Sequence, residues 1–128
     1  MSVKILVVDD EMQIRELLRH KLARAGFDVV TAKSGQEFVR CALEERPDLI
    51  ILDIWLKKTL GPDVYHELLA RGFNKEVPVI FITALVEGHK GNEREGSDQK
   101  YSLFSKPFDF GKLVKEIHAL LHLETTER

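Results

Sequence analysis

Side chains suited to phosphate or metal chemistry stand directly after four short, mostly hydrophobic runs of this 128-residue chain. They are Asp9 and Asp10 after residues 3–8, Asp53 after residues 49–52, Thr83 after residues 79–82, and Lys106 after residues 103–105. An aspartate can attack phosphorus, and carboxylates bind divalent cations. A threonine hydroxyl or a lysine ammonium can contact phosphoryl oxygens. If the runs are parallel strands, all five residues face one edge of the sheet.

Helical patterns separate these runs and are expected to position their ends. Apolar residues recur at helical spacing in four segments, which are Glu11–Ala25, Gly35–Glu45, a segment opening at Gly61-Pro62-Asp63, and Asp109–Leu123. A further strand is predicted at Asp28–Ala32, and Ser34 with Glu37 forms a capping-box pattern. Strands that alternate with helices predict an α/β fold, with a doubly wound parallel sheet covered by helices on both faces.

One segment breaks the alternation. Residues 87–100 read EGHKGNEREGSDQK and contain no large apolar side chain. A helix needs an apolar stripe in order to dock on a sheet. We therefore expect an atypical or partly disordered fourth helix there, with a mobile or irregular loop in place of a regular one.

Composition narrows the class of protein. The length suits one domain, predicted at residues 1–123 with a polar tail at 124–128. The net charge of −2 gives no general attraction to nucleic acid, so direct nucleic-acid binding is not expected. No apolar run approaches the length of a membrane span, and the amino terminus does not resemble a secretion signal. A single cysteine, Cys41, excludes an internal disulfide and indicates a reducing cytoplasmic location.

Five pieces in order carry a resemblance to a known family. They are Val7-Val8-Asp9-Asp10-Glu11, Asp53 after Leu49-Ile50-Ile51-Leu52, Gly61, Thr83-Ala84, and Lys106-Pro107-Phe108. The chain resembles the receiver domain of two-component response regulators over essentially its whole length. The resemblance implies a flavodoxin-like sheet of five parallel strands in the order 2-1-3-4-5, flanked by five helices.

The resemblance also implies how a phosphoryl group would be held. Asp53 would accept it from a histidine kinase or a phosphotransfer protein, with Thr83 and Lys106 contacting it. Mg²⁺ would be bound directly by the carboxylates of Asp10 and Asp53 and by the backbone carbonyl of Trp55, while Asp9 would hold a metal-bound water. The surface near residues 84–105 would then change and control an output domain or partner protein.

Other interpretations of the same residues stay open from the sequence. Asp9 and Asp10 could instead cap the first helix. The domain could be an interaction module that keeps the fold without being regulated by phosphorylation. A phosphatase of the haloacid-dehalogenase type would also form an aspartyl phosphate, but its signature has a second aspartate where this chain has Trp55.

The chain departs from the family pattern near its expected output face. Leu103 occupies the position of the usual switch aromatic, and the polar segment 87–100 replaces the usual fourth helix. We hypothesise that signalling orders this segment. A bulky Trp55, together with Leu85, is further expected to shield the aspartyl phosphate and to slow its hydrolysis.

Overall fold

The computed structural model describes residues 2–83, 101–105 and 109–122. Within residues 2–83, strands and helices alternate as predicted. The strands are β1 (Lys4–Val8), β2 (Asp28–Ala32), β3 (Leu49–Asp53), β4 (Val79–Thr83) and β5 (Tyr101–Ser105). The helices are α1 (Met12–Arg24), α2 (Gly35–Glu45), α3 (Gly61–Ala70) and α4 (Phe110–Leu120). The expectation for residues 87–100 lies outside the described residues.

The five strands form one parallel sheet in the order β2-β1-β3-β4-β5, which confirms the predicted fold class. β3 is the central strand. The chain passes from β1 outward to β2 and then returns to β3 on the other side of β1. This change of direction places a crevice at the carboxyl ends of β1 and β3.

Two hydrophobic cores cover the two faces of the sheet. Ile5 and Val7 of β1 pack into the core beneath α1 and α4, whereas Leu6 and Val8 pack into the core beneath α2 and α3. β3 alternates in the same way and is fully buried. Burial on both faces explains why these strands appear in the sequence as continuous apolar runs.

The capping pattern at the start of α2 is confirmed, whereas two apolar side chains on the helices differ from the sequence pattern. Ser34 caps α2, since its Oγ accepts a hydrogen bond from the Glu37 amide at 3.1 Å. Leu17 of α1 and Leu43 of α2 belong to the apolar residues at helical spacing, which predicts that they face inward, but 49% and 38% of their surfaces are exposed. α1 buries only a narrow stripe, Leu18 and Leu22, so Leu17 lies beyond its contact with the sheet.

Among the described residues, no helix has both the length and the apolar character that a membrane span requires.

Candidate functional site

Three carboxylates meet at the crevice between β1 and β3. Asp9 and Asp10 follow β1, and Asp53 ends β3. Each of the three offers a carboxylate oxygen, and these oxygens all lie within 4.8 Å of one another. Asp9 is fully buried, Asp53 is 4% exposed, and Asp10 is partly exposed. The parallel register that pairs Val8 with Leu52 brings these strand ends to the same level.

Backbone and side-chain hydrogen bonds hold Asp9 in place. Its Oδ1 accepts from the Glu11 amide at 2.9 Å, and its own amide donates to the Ala32 carbonyl at 3.2 Å. Arg15 Nη1 donates to the Asp9 carbonyl oxygen at 2.9 Å. The β1–α1 connection is therefore fixed on both sides of the carboxylate. No sequence pattern singles out Arg15, because its partner is a backbone atom.

The helix-cap interpretation of Asp9 and Asp10 is wrong. α1 begins at Met12, and Glu11 occupies its N-cap position without a side-chain hydrogen bond. The two aspartates precede the helix and turn into the crevice instead, where they lie beside Asp53.

The carboxylate and the backbone of Asp53 are fixed by the loop that follows. Its Oδ1 accepts a hydrogen bond from the Trp55 amide at 3.1 Å. The Gly61 amide donates to the Ile54 carbonyl at 2.7 Å and closes the loop. A Cβ on Gly61 would overlap the Asp53 carbonyl oxygen, so only glycine lets α3 begin this close to β3.

The loop leaves the side chain of Trp55 half exposed, at 52% of its surface. Leu56 turns inward instead and is 5% exposed. Its amide donates to the Thr59 carbonyl at 3.0 Å, and the Thr59 amide returns a bond at 3.3 Å. Shielding of Asp53 by the Trp55 indole and metal binding by the Trp55 carbonyl both stay predictions.

Thr83 lies at the same edge of the sheet. It ends β4 and is buried, and the preceding residue, Ile82, pairs with Asp53 across the sheet. Ser105 of β5 pairs with Thr83 in turn. Lys106 follows directly in the sequence, but it lies outside the described residues, as does Ala84.

Side chains of β5, the strand that precedes Lys106, alternate between the two faces of the sheet. Leu103, which replaces the usual aromatic, is half-buried, and Phe104 points to the other face and packs into the core beneath α1 and α4.

The donor set fits a divalent cation with a preference for oxygen. Three carboxylates this close repel one another, and a bound cation offsets that repulsion. Mg²⁺ and Ca²⁺ both take oxygen ligands, and Mg²⁺ is commonly bound through one or two carboxylates together with water and phosphate oxygens.

Comparison with known proteins agrees with this geometry. The family model for the response regulator receiver domain matches residues 5–118. The chain belongs to this family. The receiver domain is 35% identical over 121 residues to the probable transcriptional regulatory protein TcrX of Mycobacterium tuberculosis, an alignment that covers 93% of this chain and 50% of TcrX.

Solved structures of related proteins have the same fold. The Vibrio cholerae chemotaxis protein CheY4 superposes with a TM-score of 0.80 at 28% identity, covering 94% of this chain and all of CheY4. The response regulator TrrA of Thermotoga maritima, solved in complex with Mg²⁺-BeF, superposes with a TM-score of 0.75 at 31% identity, covering 93% of this chain and 99% of TrrA.

The chain is therefore a phosphorylation-regulated signalling domain of two-component systems. It has a regulatory role, and the competing interpretation as a phosphorylation-independent module is not favoured. The receiver domain spans about half the length, or less, of the curated relatives it matches.

Proposed function

We propose that Asp53 of this domain accepts a phosphoryl group from a histidine kinase or a phosphotransfer protein. The observation that carries the proposal is the meeting of three carboxylates at the crevice, with Asp53 at the end of the central strand. Asp9 and Asp10 both leave β1, whereas Asp53 approaches the cluster alone from β3. Asp53 is thus held by a different strand from the other two carboxylates.

The transfer step needs a positioned nucleophile. A lone pair on an Asp53 carboxylate oxygen forms the new O–P bond while the N–P bond to the donor histidine breaks. The electron pair of the broken bond stays on the imidazole nitrogen, which takes up a proton from solvent. The Trp55 amide restrains the rotation of the carboxylate through its bond to Oδ1, so that little motion is needed before attack.

The acidic cluster would bind Mg²⁺, through Asp10, Asp53 and the Trp55 carbonyl directly and through Asp9 by way of a water. When bound, the cation offsets negative charge on the carboxylates and on the phosphoryl oxygens. Arg15 and the Glu11 amide keep the β1–α1 connection fixed, so the two β1 carboxylates stay in position while Asp53 reacts.

Thr83 would donate its hydroxyl proton to a phosphoryl oxygen, and Lys106 would supply a positive charge to another. Phosphorylation would then change the surface near residues 84–105 and alter affinity for an output domain or partner protein. The domain would comprise residues 1–123, work in the cytoplasm, and make no direct contact with nucleic acid. It assists only its own phosphorylation and dephosphorylation.

Intact-mass spectrometry after incubation with acetyl phosphate and Mg²⁺ tests the phosphoacceptor. Wild type is expected to gain the mass of one phosphoryl group, and Asp53→Ala is expected to gain none. Asp28→Ala is the matched control, because Asp28 is exposed at the opposite end of β2. An adduct that persists in Asp53→Ala contradicts the site. A folded wild type without any adduct would favour the phosphorylation-independent module.

Trp55 is the only tryptophan and follows Asp53 by two residues, so its fluorescence can report metal binding. We expect a saturable change on titration with Mg²⁺ in wild type and in Asp28→Ala. Asp10→Asn should weaken the apparent affinity by roughly tenfold or more, because it removes one ligand charge. Equal Mg²⁺ affinities in Asp10→Asn and wild type would show that Asp10 is not a metal ligand.

A further inference from the structure

A groove of about 780 Å³ runs between α2, α3 and the loop at residues 54–60. A second depression of about 460 Å³ continues it along the same loop as far as Trp55. The two share six residues in their walls, which are Leu56, Lys57, Lys58, Thr59, Val64 and Glu67. We call the combined surface the basic groove.

The charges around the basic groove have one dominant sign. The combined groove carries five cationic side chains, namely Lys33, Arg40, Lys57, Lys58 and Arg71, and three anionic ones, Asp10, Asp63 and Glu67. This local excess of two positive charges stands on a chain whose net charge is −2. Such a reversal of sign within one surface favours an acidic ligand.

Three of the cations are available to a ligand. Lys33, Lys57 and Lys58 are exposed, and within residues 2–83 no ion pair engages their ammonium groups. The two arginines differ, because each lies near a glutamate of its own helix. Arg71 is 3.2 Å from Glu67, and Arg40 is 3.6 Å from Glu37. Both ion pairs are exposed and therefore contribute little binding energy, so a ligand can compete for the arginines.

An apolar strip lies between these charges. Val39, Leu56 and Val64 form its buried floor. Leu43 on α2 is 38% exposed at the groove, and Trp55 beyond Lys57 is 52% exposed. These two are among the four large hydrophobic side chains exposed in the described part of the chain. Contact with an apolar surface would remove both from water.

We propose that the basic groove binds an acidic amphipathic helix of a partner protein. A helix of this kind presents apolar residues on one side, which suits the strip from Leu43 to Trp55. Glutamates or aspartates beside that stripe would meet Lys33, Lys57 and Lys58. The two depressions adjoin along the loop and have exposed lysines at their rim. A small-molecule pocket instead encloses its ligand and fixes it with a few rigid polar groups.

Fluorescence anisotropy with designed peptides tests the basic groove in the whole chain. The probe is a fluorescein-labelled helical peptide with leucine at positions i, i+3, i+4 and i+7 and glutamate elsewhere. One comparison peptide replaces glutamate by lysine, and the other replaces leucine by serine. The test variant is Lys57→Glu with Lys58→Glu. The matched control is Lys112→Glu with Lys115→Glu, which makes the same change in net charge on exposed positions of α4.

We expect saturable binding of the leucine–glutamate peptide and no saturable binding of the two comparison peptides. The Lys57/Lys58 double variant should weaken it by roughly tenfold or more, because opposed like charges replace attractive ones. Leu43→Ser should weaken it by a smaller factor, and the Lys112/Lys115 double variant should leave it unchanged. Far-ultraviolet circular dichroism shows whether each variant remains folded, and acetyl phosphate labelling of the same variants tests the phosphoacceptor proposal separately.

Three results would overturn the inference. Equal losses in the two double variants would mean that the peptide responds only to overall charge. Equal binding of the peptide in which serine replaces leucine would show that the apolar strip does not contribute to binding. Binding of ATP that depends on Lys57 and Lys58, without binding of the peptide, would assign the groove to a small anion instead.

Discussion

Gly61→Ala is expected to damage both the fold and the phosphoacceptor, because α3 begins against the backbone of Asp53. An added Cβ would overlap the Asp53 carbonyl oxygen by roughly 1 Å and would lie 3.1 Å from Leu52 Cγ. Gly61 is buried and its amide donates a hydrogen bond to the Ile54 carbonyl, so the start of α3 and the end of β3 cannot move apart freely. Overpacking of this kind costs about 2 kcal/mol.

The two consequences are measured separately. Urea unfolding should give a free energy of unfolding lower by about 2 kcal/mol, and the Tm should fall by about 8 °C. Phosphorylation by acetyl phosphate should slow more than the folded fraction explains, by up to roughly a hundredfold, since displacing the backbone of Asp53 misplaces its carboxylate.

Gly111→Ala is the matched control for Gly61→Ala. It adds the same atoms to an exposed helical position, where the nearest contact is Asp109 Oδ1 at 3.2 Å, and helix propensity favours alanine. Its stability should stay within about 1 kcal/mol of wild type, and its phosphorylation rate should not change. Wild-type stability together with a wild-type phosphorylation rate in Gly61→Ala would refute the reasoning.

Three further outcomes are expected. Ser34→Ala should lower the free energy of unfolding by about 1 kcal/mol in urea titrations, because the Glu37 amide loses its acceptor; no change would mean that the cap does not contribute. Burial raises the pKa of the Cys41 thiol, with a smaller contribution from nearby Glu37, so the pH midpoint of alkylation by iodoacetamide should lie above that of free cysteine, and a lower midpoint would contradict this. Trp55→Asn should shorten the lifetime of the phosphoryl group on Asp53, followed by mass spectrometry, and an unchanged lifetime would exclude shielding.

Most of the fold was accessible from the sequence, because burial on both faces leaves an unmistakable pattern in β1 and β3. The strand ends were predictable for the same reason, and with them the meeting of Asp9, Asp10 and Asp53. Capping also followed from local chemistry at Ser34. These features depend on a few neighbouring residues and on one simple rule, that parallel strands end at one edge.

Other features depend on contacts between distant parts of the chain and leave no local pattern. The exposure of Leu17 and Leu43 follows from how each helix sits on the sheet, which periodicity alone does not fix. Arg15 contacts a backbone oxygen, so its role cannot be recognised from the type of its partner. The basic groove joins Lys33 and Arg40 of one segment to Lys57 and Lys58 of another, and only the packing of α2 against α3 brings them together.

The acidic cluster also has a consequence for the evolution of the domain. Folding gathers three like charges within 4.8 Å, so part of the free energy gained by packing β1 against β3 is offset by repulsion between them. The proposed reactivity of Asp53 would thus be maintained at the expense of stability. Substitutions that neutralise Asp10 would tend to stabilise the metal-free domain while they weaken its signalling, and selection for robustness alone would erode the site.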